Sequence, residues 1–115
     1  GPCRYELRLK DVLTEAELEP LPFLISMEIL EHFEDPTSFL KCLYRMLLKN
    51  GKAFITAAVN APQFDHIYLY RNDQEILEQI RSVGFQVETV FHAYAYPPTR
   101  RIPVVPSIVA VMATK

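Results

Sequence analysis

Charged and apolar residues alternate at the start of the chain. Over residues 4–12, Tyr5, Leu7 and Leu9 share one side, and Arg4, Glu6, Arg8 and Lys10 share the other. A period of two predicts a half-buried strand, with its charges suited to a sheet edge. Thr14 and Glu17 stand at capping-box spacing, so a short helix is expected over residues 15–19, stopped by Pro20 and Pro22. An apolar run then begins at Phe23 and predicts a strand over residues 23–28. The connection from Lys10 to Phe23 is long enough for a crossover to a parallel strand. Uninterrupted apolar runs suit parallel strands covered on both faces.

That run breaks off into Glu28, Glu31 and His32, and Asp35-Pro36 follows as an N-cap and first helical residue. Phe39, Leu40, Leu43, Met46 and Leu47 recur at helical spacing, with Lys41, Arg45 and Lys49 off the stripe. Gly51 is expected as the left-handed residue past the helix end, with a strand over residues 52–58 after it. Residues 61–71 form an aromatic loop ending before Asn72 and Glu75, a second capping-box pair. They open a helix over residues 73–83 whose Ile76, Leu77, Ile80 and Val83 face inward, and Gly84 closes it. Strands are expected over residues 85–94 and 107–114, joined by a proline-rich turn over 97–103. That connection is too short for a helix, so the last pair should be antiparallel. The fold predicted is α/β, Rossmann-like but partial: a mostly parallel sheet with helices on its faces, closed by a C-terminal antiparallel hairpin.

Composition narrows the function classes. At 115 residues the chain makes a single domain, 1–115. A net charge of −2 leaves no footprint for nucleic acid or an anionic membrane surface. No apolar stretch reaches transmembrane length, and the charges of residues 4–10 argue against a signal peptide. Two cysteines, Cys3 and Cys42, make neither a disulfide framework nor a metal knuckle, so a reducing, cytoplasmic setting is expected. Only three glycines occur, Gly1, Gly51 and Gly84. A dinucleotide or nucleoside site of Rossmann type needs several in its first strand-to-helix turn, where backbone approaches ligand. No such turn is present in this sequence.

In open α/β sheets the ligand crevice lies beyond the carboxyl ends of the strands. Glu28, Glu31, His32 and Asn60 fall there, and His66 lies in the loop after the next strand. Glu28, Glu31 and His32 stand at i, i+3 and i+4, so a helical turn would gather them on one side. Two carboxylates and two imidazoles could hold a divalent ion, Mg²⁺, Mn²⁺ or Zn²⁺, without the set choosing among them. The competing reading is acid–base: His32 or His66 takes the proton of an acceptor hydroxyl, with Glu31 beside them, and Glu28 and Asn60 contact substrate. The bland readings are that Asn60 is a turn residue and His92 a surface one. Tyr68, Tyr70, Tyr94 and Tyr96 would then pack with hydroxyls in solvent, Arg100-Arg101 would be solvated, and Cys42 would be core packing.

Ile25-Ser26-Met27-Glu28-Ile29-Leu30-Glu31-His32, Asp35-Pro36, Tyr44-Arg45-Met46-Leu47, Lys49-Asn50-Gly51 and Phe54-Ile55-Thr56 together resemble the second half of class I S-adenosylmethionine-dependent methyltransferases, in the small-molecule O-methyltransferase branch. The likeness continues through the helix, Gly-Phe turn and strand of residues 72–88. The Glu-x-x-Glu-His spacing with a later His also resembles the metal site of small-RNA 2′-O-methyltransferases. Lys49-Asn50-Gly51 departs from the family's Pro-Gly-Gly only as a turn variant. The larger departure is that the family's first two strands, its glycine-rich loop and its ribose-binding acid have no counterpart here. The resemblance therefore implies the C-terminal portion of a methyltransferase, using S-adenosylmethionine on a small-molecule acceptor, and inactive alone. An apolar edge left by the absent strand needs cover from the chain's own first strand, a second copy in a homodimer, or a complementing N-terminal half. The alternative is a non-catalytic dimerisation module derived from the same fold.

Overall fold

Alternation decides which side of each strand is inside. The computed structural model describes residues 20–62, 66–101 and 103–115; the strand expected over 4–12 and the helix over 15–19 lie outside the described residues. In β1 (Leu21–Met27) Leu24 and Ser26 are buried, whereas Phe23, Ile25 and Met27 are exposed. A 3-10 turn (Leu30–His32) leads to α1 (Pro36–Met46). Asp35 caps that helix, accepting from the Thr37 N–H at 3.2 Å, the Ser38 hydroxyl at 2.7 Å and the Thr37 hydroxyl. The Thr37 and then the Ser38 hydroxyl hold the Asp35 carboxyl below its ordinary range.

The end of α1 departs from the expectation. The helix stops at Met46, and Leu47 is already extended as the first residue of β2 (Leu47–Val59). Leu47, 2% exposed, enters the core from a strand paired with Leu21. The left-handed residue is Asn50, with φ of 66°, and not Gly51. Gly51 is needed for closeness instead: a Cβ there would stand 2.8 Å from the Leu48 carbonyl oxygen and 3.2 Å from that of Leu21. The β1–β2 register slips here, Leu21 facing Leu47 and Phe23 facing Lys52, so β2 bulges past its partner.

The second helix follows its sequence signals. Asn72 caps α2 (Asp73–Ser82), accepting from the Glu75 N–H at 3.1 Å, and Ile76, Leu77 and Ile80 are buried. Gly84 turns the chain at φ of 118°, under the Tyr44 ring of α1, where a Cβ would come within 2.9 Å. β3 (Gln86–Tyr94) and β4 (Ser107–Thr114) form an antiparallel pair, as expected. Their order is the new feature: β4 returns between β2 and β3, giving β1-β2-β4-β3, parallel at β1–β2 and antiparallel beyond. One core results, in which Phe39, Leu40 and Leu43 of α1 and Ile76 and Ile80 of α2 meet Ala53, Ile55, Val109, Val111 and Ala113. Both described helices therefore lie on one face of the sheet.

Candidate functional site

The carboxyl ends of the parallel strands carry the polar side chains. Both strands leave the sheet through a non-glycine residue in the left-handed region, Glu28 and Asn60, each with φ of 53°. That conformation is uncommon outside glycine, though asparagine tolerates it. Two bonds hold Glu28 in it: its N–H reaches the Thr56 carbonyl at 2.9 Å and the Thr56 hydroxyl at 3.0 Å. The Asn60 N–H donates to the Tyr70 carbonyl at 2.8 Å, next to a parallel bridge between Val59 and Tyr70.

The tight 3-10 turn after Glu28 divides its residues between core and rim. Leu30 and Glu31 point inward, at 0% and 1% exposure, while His32 is half-buried. Glu31 acts as a clasp. Its Oε1 accepts from the Ala58 N–H of β2 at 2.6 Å, and its carbonyl accepts from the Tyr68 N–H at 2.9 Å. Its other oxygen, Oε2, is buried without a hydrogen-bond partner, a costly arrangement for a carboxyl group. His66 comes back over the turn, its Nδ1 2.6 Å from the Ala61 carbonyl. A carbonyl can only accept, so Nδ1 carries the proton and Nε2 is left with a lone pair. The His32 and His66 rings meet edge to face at 5.0 Å between centroids.

Of the residues singled out in the sequence, Glu31, His32 and His66 come together, with one potential ligand atom of each lying within 4.8 Å of the others. Glu28 is exposed and outside that group, because the left-handed turn sends it away from the 3-10 segment. It still lines, with His32 and His66, a cavity of about 500 Å³. The opposite wall is the hairpin end, Ala93, Tyr94, Ala95 and Pro106. Asn60 stands half-buried at the end of β2.

Other sequence readings fare unevenly. Cys42 is buried, as expected of packing. His92 faces Asp73 across 3.3 Å, and Tyr94 and Tyr96 are exposed. Tyr70 is the correction: it is fully buried, and its hydroxyl donates to Gln79 Oε1 at 2.5 Å instead of reaching solvent. Burial, with Tyr68, Glu31 and Glu75 adding to it, pushes that phenol far above its ordinary pKa. Sequence reasoning passed over Thr56 and Gln79. Gln79 had a signal, since a polar residue three after Ile76 and one before Ile80 interrupts the inner stripe of α2. Nothing marks Thr56 in the sequence, because its role depends on its partner across the strand pair.

No family model and no curated protein matches the sequence. Solved structures do match. The 4+2 cyclase SpnF aligns with 94% of this chain at a TM-score of 0.73 and 12% identity, over 54% of its own length. The N-methyltransferase NodS of Bradyrhizobium japonicum, solved with S-adenosylhomocysteine, aligns with 92% of this chain at 0.69 and 11% identity, over 52% of its own length. A Burkholderia thailandensis 1,6-didemethyltoxoflavin N1-methyltransferase, solved with bound 1,6-didemethyltoxoflavin and S-adenosylhomocysteine, aligns with 90% of this chain at 0.69 and 13% identity, over 48% of its own length. The chain thus spans about half the length of these structures, and over that half it has the fold of the S-adenosylmethionine-dependent methyltransferases.

Proposed function

We propose that this chain is the acceptor-side portion of an S-adenosylmethionine-dependent methyltransferase that acts on a small molecule. The observation that carries the reading is that His32 and His66 line the cavity beyond the parallel strand ends of a methyltransferase-like fold, with the buried Glu31 beside them. Fold alone would not suffice, since a cyclase shares it. The described residues do not by themselves fit the cofactor. Gly51 lies inside β2 and Gly84 follows α2, so neither lets the backbone close round a ligand beside β1. The chain alone is therefore inactive in this reading, and a complementing half supplies the grip. The cytoplasmic setting expected from the cysteines goes with this proposal.

The chain's own residues handle the acceptor. An acceptor hydroxyl placed against His66 loses its proton to Nε2, while the Ala61 carbonyl holds the Nδ1 proton in place. Glu31 keeps the turn that presents His32, and the apolar hairpin wall excludes water from the body of the acceptor. Glu28, which lines the cavity, and Asn60, next in sequence to the lining residue Ala61, are assigned to acceptor contact. The same three groups would alternatively hold a divalent ion through Glu31 Oε2, His66 Nε2 and His32, with Glu28 outside the set.

The test is reconstitution. Mixed with a polypeptide bearing the glycine-rich half of the fold, the chain should transfer radiolabelled methyl to a panel of hydroxylated small molecules. His66→Ala should lower that rate by roughly 10²–10⁴-fold; an unchanged rate would remove His66 from the chemistry. A second reading, a non-catalytic dimerisation module, draws support from the sheet face on which no described helix lies. Four strands about 4.8 Å apart and roughly 20 Å long present on the order of 400 Å², within the range of the largest apolar patch on an ordinary monomer, which is often functional. Light scattering separates the two: a stable dimer with no activity on reconstitution favours the module.

A further inference from the structure

The segment carrying His66 has no helix or strand of its own among the described residues, so its shape depends on what it is tied to. Two main-chain bonds hold it, Tyr68 N–H to Glu31 O and Asn60 N–H to Tyr70 O. The Arg71 N–H also reaches Glu75 Oε2 at 3.4 Å, and one further side chain outside the segment binds two of its residues. Gln79 of α2 accepts from the Tyr70 hydroxyl at 2.5 Å and donates from Nε2 to the Tyr68 hydroxyl at 3.0 Å. Tyr70 is sealed from water, so its hydroxyl keeps its proton and must give it to an acceptor. Only Oε1 of an amide can accept, which fixes the orientation of Gln79 and turns its NH₂ to Tyr68. Residues two apart in an extended chain share a side. Here both rings, 4.8 Å apart, do reach the same amide, and the chain bends at Tyr68 itself.

We infer that Gln79 is the positioning residue of this rim: by holding Tyr68 and Tyr70 on one amide, it sets His66 against His32. Gln79 bonds the two tyrosines, and through them it acts at the bend of Tyr68, two residues beyond His66. The inference rests on the acid–base reading above, and its test reads ring geometry instead of turnover, so either can fail without the other.

Long-range ¹H–¹⁵N correlation spectra of the full chain provide the measurement. The native chain should show His66 as a single Nδ1–H tautomer with through-space cross-peaks between the His32 and His66 rings. Gln79→Leu removes both tyrosine partners and should lose the single tautomer and the cross-peaks while the β4 amide pattern stays. Gln79→Glu offers two acceptor oxygens to the two hydroxyls and should restore them. Should Gln79→Leu fail to fold, Tyr68→Phe deletes only one hydroxyl and should likewise lose the cross-peaks. A folded Gln79→Leu or Tyr68→Phe chain that keeps His66 in one tautomer and in contact with His32 would overturn the inference.

Discussion

On one face of the sheet Ala53, Ile55, Ala57, Val109, Val111 and Ala113 are sealed beneath α1 and α2. On the other, Ile25, Met27 and Phe91 are 61, 62 and 63% exposed. The strands are the same and their residues are similarly apolar on both sides, so composition does not account for the difference. What differs is the covering layer: two amphipathic helices close the first face, and no described helix lies on the second. The solved structures that share this fold are about twice as long as the matched portion. The first face thus explains how the chain forms a core, and the second what a complementing half or a second copy would bury.

Substitutions on the two faces should separate these roles. Ile55→Ala, at a fully buried site, should destabilise the chain by about 2–5 kcal/mol in urea unfolding. Ile25→Ala, one strand over on the second face, should stay within about 0.5 kcal/mol. Equal losses would mean that the second face is covered in solution. Between these lies the support of the covering helices: Asn72→Ala removes the cap of α2 and should cost about 1 kcal/mol, read by the same titration. A loss near zero would show that α2 is held by packing alone.

The smallest effect belongs to the far edge, where Glu88 meets Lys52 at 3.2 Å and the Thr114 hydroxyl. The Thr114 hydroxyl first, then Lys52, lowers the Glu88 pKa. A carboxylate whose folded pKa is depressed adds stability above its unfolded value, and that addition disappears as pH falls through the lowered folded value. Unfolding midpoints should therefore be level above about pH 5 and decline below it, with Glu88→Gln flattening a small part of the decline. The group is fully exposed, so solvent screens most of it.

Local signals in the sequence were legible where the chain answers to its own neighbours. Asp35-Pro36 and Asn72 with Glu75 cap the helices as their side chains require, Gly84 supplies the positive φ, and the short final connection gives an antiparallel pair. Illegible were the features set by partners distant in sequence. Gly51 follows a helical stripe and reads as its terminator, but Leu47 is drawn into a strand by Leu21, and Asn50 takes the left-handed turn. The glycine is kept small by two carbonyl oxygens that only the folded pair brings near. At the site, the i, i+3, i+4 spacing drew attention to Glu28, Glu31 and His32 together. Thr56 holds Glu28 in a turn that parts it from the other two. Tyr70 looked like a surface aromatic because its acceptor, Gln79, lies on another element.

In the proposed reading this chain carries the acceptor rim of a methyltransferase fold without the grip on the cofactor. Isothermal titration of S-adenosylhomocysteine into the 115-residue chain tests it most directly. No measurable heat of binding is expected; saturable binding at micromolar affinity would overturn the proposal.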